Sequence, residues 1–559
     1  MLRYINILFV VILCCIFSVS VGFATEIRIN ITKKYLNFPV SHIEETAKMT
    51  FFVNDKTERS FFIRLTETPE YWVFADVSSF KNKTLIIKYE GNANSLKLIE
   101  QSDKPFGTEN FYKEGNRPQL HYTTKVGWSN DPVGLIFYEG EYHLFYIHDP
   151  YDRECICTEN THWGHAISHD LIYWEEQPIA LYPDEQGVIY SGSAVIDYDN
   201  TSGFGDGKTT AMVAIYTTDN PERQVQCIAY SLDKGRSWTK YENNPVIDSK
   251  EKWNSKDTRD PKVFWYQQGK HWVMVLNERD GHSIYTSSNL KEWTYQSHTT
   301  GFWECPELFE LKIDGNPKNT KWVMYGASGT YMLGNFDGKK FTPETGKLSY
   351  CFGAIYAAQT FNNMPETDGR RIQLGWDRVD HPGMSFKSQM SLPTQLTLRN
   401  TPDGIRLFSN PIKELDDLQI ELVISKKNIT PQKANELLKS YCNNATLRIK
   451  TSIKSSHATF WILSLFGQNI IDYNYNFNML NGFFYSPQDI GSMEVSADIF
   501  IDKTTIQVFF DSGAISYCIQ REPRNNIDGF IFWSHYDFEI KNIEVYTMES
   551  IWKNFLDNN

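Results

Sequence analysis

Three short acidic motifs in this chain are placed to do chemistry: Asn130-Asp131-Pro132, Arg259-Asp260-Pro261 and Glu304-Cys305-Pro306. Proline fixes its own φ and pushes the residue before it toward extended backbone, so a carboxylate one or two positions ahead is held in a restricted orientation. Cleavage of a glycosidic bond needs one carboxyl that protonates the leaving oxygen and a second that attacks or assists at the anomeric carbon; a third can serve binding. Asp-Pro and Glu-x-Pro are also turn formers, and any one motif alone reads as a turn. The surrounding sequence decides between the two.

At 559 residues the chain is too long for one ordinary domain, and its 41% hydrophobic content is ample for large cores. Aromatics reach 15%, more ring faces than core packing requires and well suited to stacking on sugars. The net charge is -13 and no run of Lys or Arg forms a stripe, which argues against nucleic acid or an anionic membrane as partner and for a neutral substrate. Arg3, the apolar stretch Ile7 to Phe17 and the small residues ending Gly22-Phe23-Ala24 have the layout of a secretory signal peptide, residues 1–24, cleaved after Ala24. The remainder is expected to be exported and free of the membrane. Seven cysteines follow that segment, an odd number that leaves at least one thiol free. Cys155-Ile156-Cys157 has no second pair or His spacing to complete a metal site and reads as a loop, so neither metal nor cofactor is expected.

Helical periodicity is scarce, and short segments rich in Val, Ile, Tyr, Phe and Trp recur between Gly, Asn and Asp turns, the pattern of an all-β protein. Tyr142–Tyr146, Ala211–Tyr216, Trp272–Leu276, Trp322–Tyr325 and Ile372–Trp376 are buried-strand candidates. Three of them are followed by similar elements, Ser168–Trp174, Ser231–Trp238 and Ser288–Trp293. Such a repeat, with several strands per unit, predicts a five-bladed β-propeller over residues 115–412. Residues 25–105 form a separate N-terminal β-rich unit, with a polar linker around Asp103–Arg117. Residues 413–559 fit a C-terminal β-sandwich, with a single helical stretch at Pro431–Lys439. Blades bring the start of each first strand to one end of a channel, where Asp131, Asp260 and Glu304 can meet.

Four ordered blocks resemble glycoside hydrolase family 32, the β-fructofuranosidases: Trp128-Ser129-Asn130-Asp131-Pro132-Val133-Gly134, Tyr190-Ser191-Gly192-Ser193-Ala194, Arg259-Asp260-Pro261-Lys262-Val263 and Trp303-Glu304-Cys305-Pro306-Glu307-Leu308. Trp163-Gly164-His165-Ala166, Asn244-Pro245-Val246-Ile247 and Tyr356-Ala357-Ala358-Gln359 are similar to that family as well. The N-terminal unit resembles an extra domain of levanase-like members. The resemblance implies a retaining hydrolase of levan, inulin or sucrose, with Asp131 as nucleophile, Glu304 as acid/base and Asp260 stabilising the oxocarbenium-like transition state. It also implies a sugar pocket built from Trp128, Asn130, Trp163, Ser191, Arg259 and Trp376. Polar Ser129 and Asn130 suit an ionised Asp131, whereas Phe302, Trp303 and Cys305 are surroundings expected to raise the pKa of Glu304 by desolvation.

Three positions depart from the family pattern. Val133 stands in place of Asn, Ile147 in place of a substrate-contacting Gln, and Cys351-Phe352-Gly353-Ala354-Ile355 lacks an expected Asp. A lost polar contact weakens binding of one hydroxyl by roughly 1–3 kcal/mol, so substrate choice is left open. The competing readings are a fructan-binding propeller with weak or no catalysis, a fructosyltransferase, and a sialidase, the last because Ser231–Trp238 fits the Ser-x-Asp-x-Gly-x-x-Trp box of those propellers. Sialidases need an arginine cluster for a carboxylate and a Tyr nucleophile, and the acidic blocks favour a neutral sugar.

Overall fold

In the computed structural model the chain is described over residues 24–154, 160–365, 367–441, 446–455, 460–487, 493–522 and 529–556. The expected leader apart from Ala24, the Cys155-Ile156-Cys157 tripeptide and Cys442 lie outside the described residues. Among the described residues the structure is all-β with a few short helices, and no helix is long and apolar enough to cross a membrane.

The central part of the chain is a succession of antiparallel strand sets, each opened by a leading strand: β1 (Gly127–Tyr138), β2 (Val188–Asp197), β3 (Thr258–Tyr266), β4 (Glu307–Ile313) and β5 (Ile355–Thr360). All five buried-strand segments read from sequence form, each as the second strand of its set. Hairpins join first to second strands; between Tyr138 and Glu141, Glu139 and Gly140 have φ of 46° and 85°, the mirror-image turn that matches strand twist. The sets led by β4 and β5 are linked into one ten-stranded sheet through a parallel bridge of Ile313 to Leu398. Leading strands also touch one another, β1 with β2 and β5, and β2 with β3.

The three repeated Ser-to-Trp elements are turns with one internal design. Ser168, Ser231 and Ser287 hydroxyls, the last lying one residue ahead of the Ser288–Trp293 segment read from sequence, bond Asp170, Asp233 and Asn289, and the indole N–H of Trp174, Trp238 and Trp293 donates to the carbonyl three residues earlier. The box at Ser231–Trp238 is therefore one of three structural turns of the same design.

Before the central sets, two sheets enclose one core that includes Leu36, Phe38, Met49, Phe51, Val73 and Ile87. Its outermost strand, Lys56–Ile63, meets the segment after the second central strand. There Phe61 stacks on Tyr151 at 3.9 Å, Arg64 Nε donates to Asp152 at 2.8 Å, and the Asn160 side chain bonds both N–H and C=O of Phe62 at 2.7 Å. After the central sets, a seven-stranded and a five-stranded sheet share a core with Trp461, Ile499 and Phe510, and the helix Pro431–Leu438 is capped by Thr430. Buried Asp502 joins this part to the centre, accepting from the N–H groups of Gln119 and Leu120 and from His121 at 2.7–2.8 Å. Cys351–Gly353, one of the segments that depart from the family pattern, pairs in parallel with Ser516–Cys518, so its residues serve that junction.

Candidate active site

The leading strands are irregular at one place. Ladder register slips between Ser129 and Pro132 in β1, Ile189 and Gly192 in β2, Arg259 and Lys262 in β3, and Tyr356 and Gln359 in β5. A bulge breaks the alternation of a strand and re-aims the side chains at the break. Asp131, Ser191 and Asp260 stand within these bulges and Tyr356 at the edge of the fourth. Ahead of β4, Glu304 and Cys305 take φ of 55° and 40°, and Asp260 has φ of 64°. Left-handed backbone at a residue with a side chain costs of order 1–3 kcal/mol and persists only where surrounding contacts enforce it. Those contacts are Thr217 Oγ1, which accepts from Asp260 N at 2.9 Å, Asn277 Oδ1, which accepts from Glu304 N at 2.9 Å, and Asp260 itself, which accepts from Cys305 N at 3.0 Å.

The three carboxylates converge. Asp131 accepts from Ser191 Oγ at 2.6 Å and from Asn130 Nδ2 at 3.1 Å. The Cys305 thiol lies 3.4 Å from Asp131 and 3.7 Å from Asp260, so one sulfur touches both. Glu304 approaches from another side, accepting from Arg259 Nη2 at 2.8 Å and from Tyr356 Oη at 2.6 Å. Arg259 is itself held by Asp257 and Gln224 and lies 4.0 Å from Asp260. The indole of Trp128 donates to Asn130 at 3.1 Å and meets Trp376 edge to face at 5.8 Å, and Trp376 in turn meets Tyr356 at 6.3 Å. Part-exposed Trp128, Trp376 and Tyr356 thus form an aromatic wall beside the carboxylates.

Burial sets the charge states. It pushes the Asp131 carboxyl up, against hydrogen bonds from Ser191, Cys305 and Asn130 that favour the anion, with Glu304 adding to the rise. Asp260 is pushed up to about 7 by burial, which Arg259 opposes and Asp131 reinforces. Burial, then the charges of Asp131 and Asp260, keep the Cys305 thiol protonated. Burial and the bond to Glu304 likewise keep the proton on Tyr356. These groups interact at close range, so the protons belong to the cluster rather than to single residues.

Several sequence expectations are corrected. The apolar neighbours of Glu304 face elsewhere: Phe302 stacks on His282, Trp303 is 43% exposed with the Arg259 guanidinium 5.0 Å from its ring centre, and Cys305 turns to Asp131. Burial pushes up the carboxyls of Asp131 and Asp260. Trp163 is 0% exposed, packed on Phe145 and Tyr216 with its N–H on the Tyr190 carbonyl, so it supports the site from the core and presents no face to a sugar. Val133 and Ile147, 0% and 3% exposed, belong to that same core, so they fill it rather than leave a gap in a pocket. Trp163→Ala is accordingly expected to cost about 3–5 kcal/mol in urea unfolding, the range for an emptied aromatic core position.

Tyr356 and Cys305 carry contacts that residue type alone did not assign, because their partners arrive from other strand sets. Tyr356→Phe removes the hydrogen bond to Glu304, worth about 0.5–1.5 kcal/mol, and is expected to lower kcat/KM by roughly 2- to 12-fold.

The chain matches the family described as Glycosyl hydrolases family 32 N-terminal domain over residues 121–411. It is 48% identical to a levanase of Bacillus subtilis (strain 168) over 335 residues, covering 55% of this chain and 49% of that protein. It is 31% identical to a levanase of Bacillus sp. (strain L7) over 506 residues, covering 79% of this chain and 53% of that protein. The chain thus spans about half the length of these two relatives. Its structure superposes on the crystal structure of exo-inulinase from Aspergillus awamori with a TM-score of 0.68 at 27% identity, covering 79% of this chain and 100% of that chain. All four signature blocks, with the three carboxylates they carry, lie inside the matched segment, and the chain belongs to glycosyl hydrolase family 32.

Proposed function

We propose that the protein is an exported hydrolase of β-fructofuranosidic bonds, acting on fructans or sucrose by a retaining double displacement. The observation that carries the reading is the split arrangement of carboxyls: Asp131 and Asp260 joined through one thiol, and Glu304 facing them from a separate element between Arg259 and Tyr356. Glu304 gives its proton to the leaving oxygen as Asp131 attacks C2 of the fructosyl unit, and Asp260 stabilises the positive charge that develops on the ring. Glu304 then takes a proton from water, which displaces Asp131 from C2 and regenerates the carboxylate. Trp128, Asn130, Ser191, Arg259 and Trp376 orient the sugar.

The chemistry sits on a five-bladed propeller over residues 115–412. Support comes from the five leading strands: β1, β2 and β3 touch in turn, buried Lys262 of β3 pairs with Glu307 of β4 at 2.7 Å, Glu307 accepts from Thr360 of β5, and β5 returns to β1. Residues 25–105 are an accessory unit and residues 413–559 a β-sandwich. The relatives named levanase and exo-inulinase support fructan as the substrate class.

The test is to incubate the protein with sucrose, inulin and levan separately and follow products by chromatography and by NMR of the first anomer released. Fructose or short fructans appearing first as the β anomer are expected. First release of the α anomer would sink the retaining mechanism, transfer to sugar in place of water would identify a fructosyltransferase, and retention of fructan without cleavage would identify a binding protein.

A further inference from the structure

The ends of the leading strands remote from the carboxylates surround a cavity of about 830 Å³, within the roughly 300–1,000 Å³ range of small-molecule sites. Asp260 lies near the start of β3 and Trp265 near its end. The cavity extends from Trp265 back to Lys262 and Glu307, which form its inner end on the side of the carboxylates. The channel between cavity and carboxylates is closed. Lys262 Nζ donates to Glu307 and to the Thr360 carbonyl at 2.7 Å, and Glu307 also accepts from the amide and hydroxyl of Thr360.

The lining has the chemistry of a sugar site. Trp265, Tyr266 and Trp322 are part-exposed, and Tyr198 is 63% exposed, its hydroxyl accepting from Asn363. Flat rings of this kind bury the C–H faces of a sugar, while Gln267 and Gln268 supply amides at the rim. Among the charged lining groups, Arg370 is clamped by Asp368 and Glu414 and Lys262 by Glu307, while Asp197 accepts four hydrogen bonds from Thr201 and Ser202 and Glu310 accepts one from Thr320. Arg371 stands apart. Its guanidinium lies over Phe309 at 4.9 Å and, among the described residues, hydrogen-bonds only an oxygen of Thr360 at 3.5 Å and of Phe361 at 3.3 Å, with the Glu307 carboxylate acting on it through charge but forming no ion pair with it. A guanidinium with free donors beside aromatic rings suits hydroxyl oxygens, and the absence of a basic cluster disfavours a polyanion.

We propose that this remote cavity is a second, non-catalytic binding site for a neutral oligosaccharide, able to hold a distant segment of a polymeric substrate while the carboxylates work on its end. The choice of fructan as ligand rests on the proposed function; the site itself does not. The experiment uses the full chain carrying Asp131→Asn, so that the sugar survives, titrated calorimetrically with a short levan oligosaccharide and in parallel with an inulin oligosaccharide. Two sites per chain are expected. Tyr198→Ala in that background should weaken one of them about tenfold, and Tyr198→Ala with Trp265→Ala should abolish it, with the other site unchanged. A thermal melt checks each fold; if the double variant is unfolded, Tyr198→Ala with Gln268→Ala, both at exposed positions, replaces it. One site insensitive to these substitutions, or no binding of either sugar, overturns the proposal. One site that vanishes with them supports the remote cavity and tells against the fructoside reading of the carboxylate site instead.

Discussion

Asp131→Asn is expected to reduce kcat on sucrose, inulin or levan by about 10⁴-fold or more, the scale on which enzymes lose a nucleophile. The substitution preserves shape. Asn130 can still donate to the retained oxygen, and Ser191 can turn its hydroxyl to accept from the new amide, so the site should stay assembled. What is lost is the negative charge and the lone pair that forms the bond to C2. Rates of reducing-sugar release, with sugar binding measured on the same preparation, check the claim. Activity within tenfold of the parent would exclude Asp131 as nucleophile. Glu304→Gln makes the converse case: on a fructosyl substrate whose leaving group needs no proton, its first step should be close to normal, whereas Asp131→Asn stays inactive.

Asp260→Asn should have two effects of opposite sign. Removal of the charge that faces the developing cation is expected to lower kcat by about 10²–10³-fold, as for other preorganised charge-stabilising groups. The fold should gain stability. A carboxyl whose folded pKa of about 7 exceeds its ordinary 3.8 takes up a proton on folding between those two values. Stability therefore falls as pH rises from about 4 to about 7 and stays at its low level above that window. Asparagine has no such dependence, so the variant should match the parent near pH 4 and exceed it by on the order of 1–3 kcal/mol at pH 8. Urea unfolding of both proteins at the two pH values decides the point. Equal stabilities at pH 8 would mean that Arg259 compensates the buried charge in full.

The convergence of Asp131, Asp260 and Glu304 was legible because each carboxylate is tied to a proline, and proline marks where the backbone leaves regular geometry. The repeating turns were legible because a Ser recurs with Asp or Asn two residues on and Trp six or seven residues on. The direction of side chains was not. In His162–Ser168 every residue is buried, so alternation cannot tell Trp163, which faces the core, from Trp128, which faces the site. Val133 and Ile147 misled for the same reason: each lies in a strand buried on both faces, and the bulges nearby shift parity. Burial of Asp131 and Asp260 escaped notice because it is imposed by neighbouring strand sets, while local sequence around Asp131 is polar. The junctions at Asn160 and Asp502 join residues 98 and more than 380 positions apart, a separation at which a single sequence carries no pairing signal.

The amide of Asn160 has a wider meaning for the chain in solution. The strand Lys56–Ile63 is an outer strand of its sheet, and an outer strand with bare backbone groups is a template on which a second molecule can add its own strand. By bonding both polar groups of Phe62, Asn160 occupies a rung that an intruding chain would need. One side chain thus fastens this sheet to the central strand sets and guards against edge-to-edge aggregation.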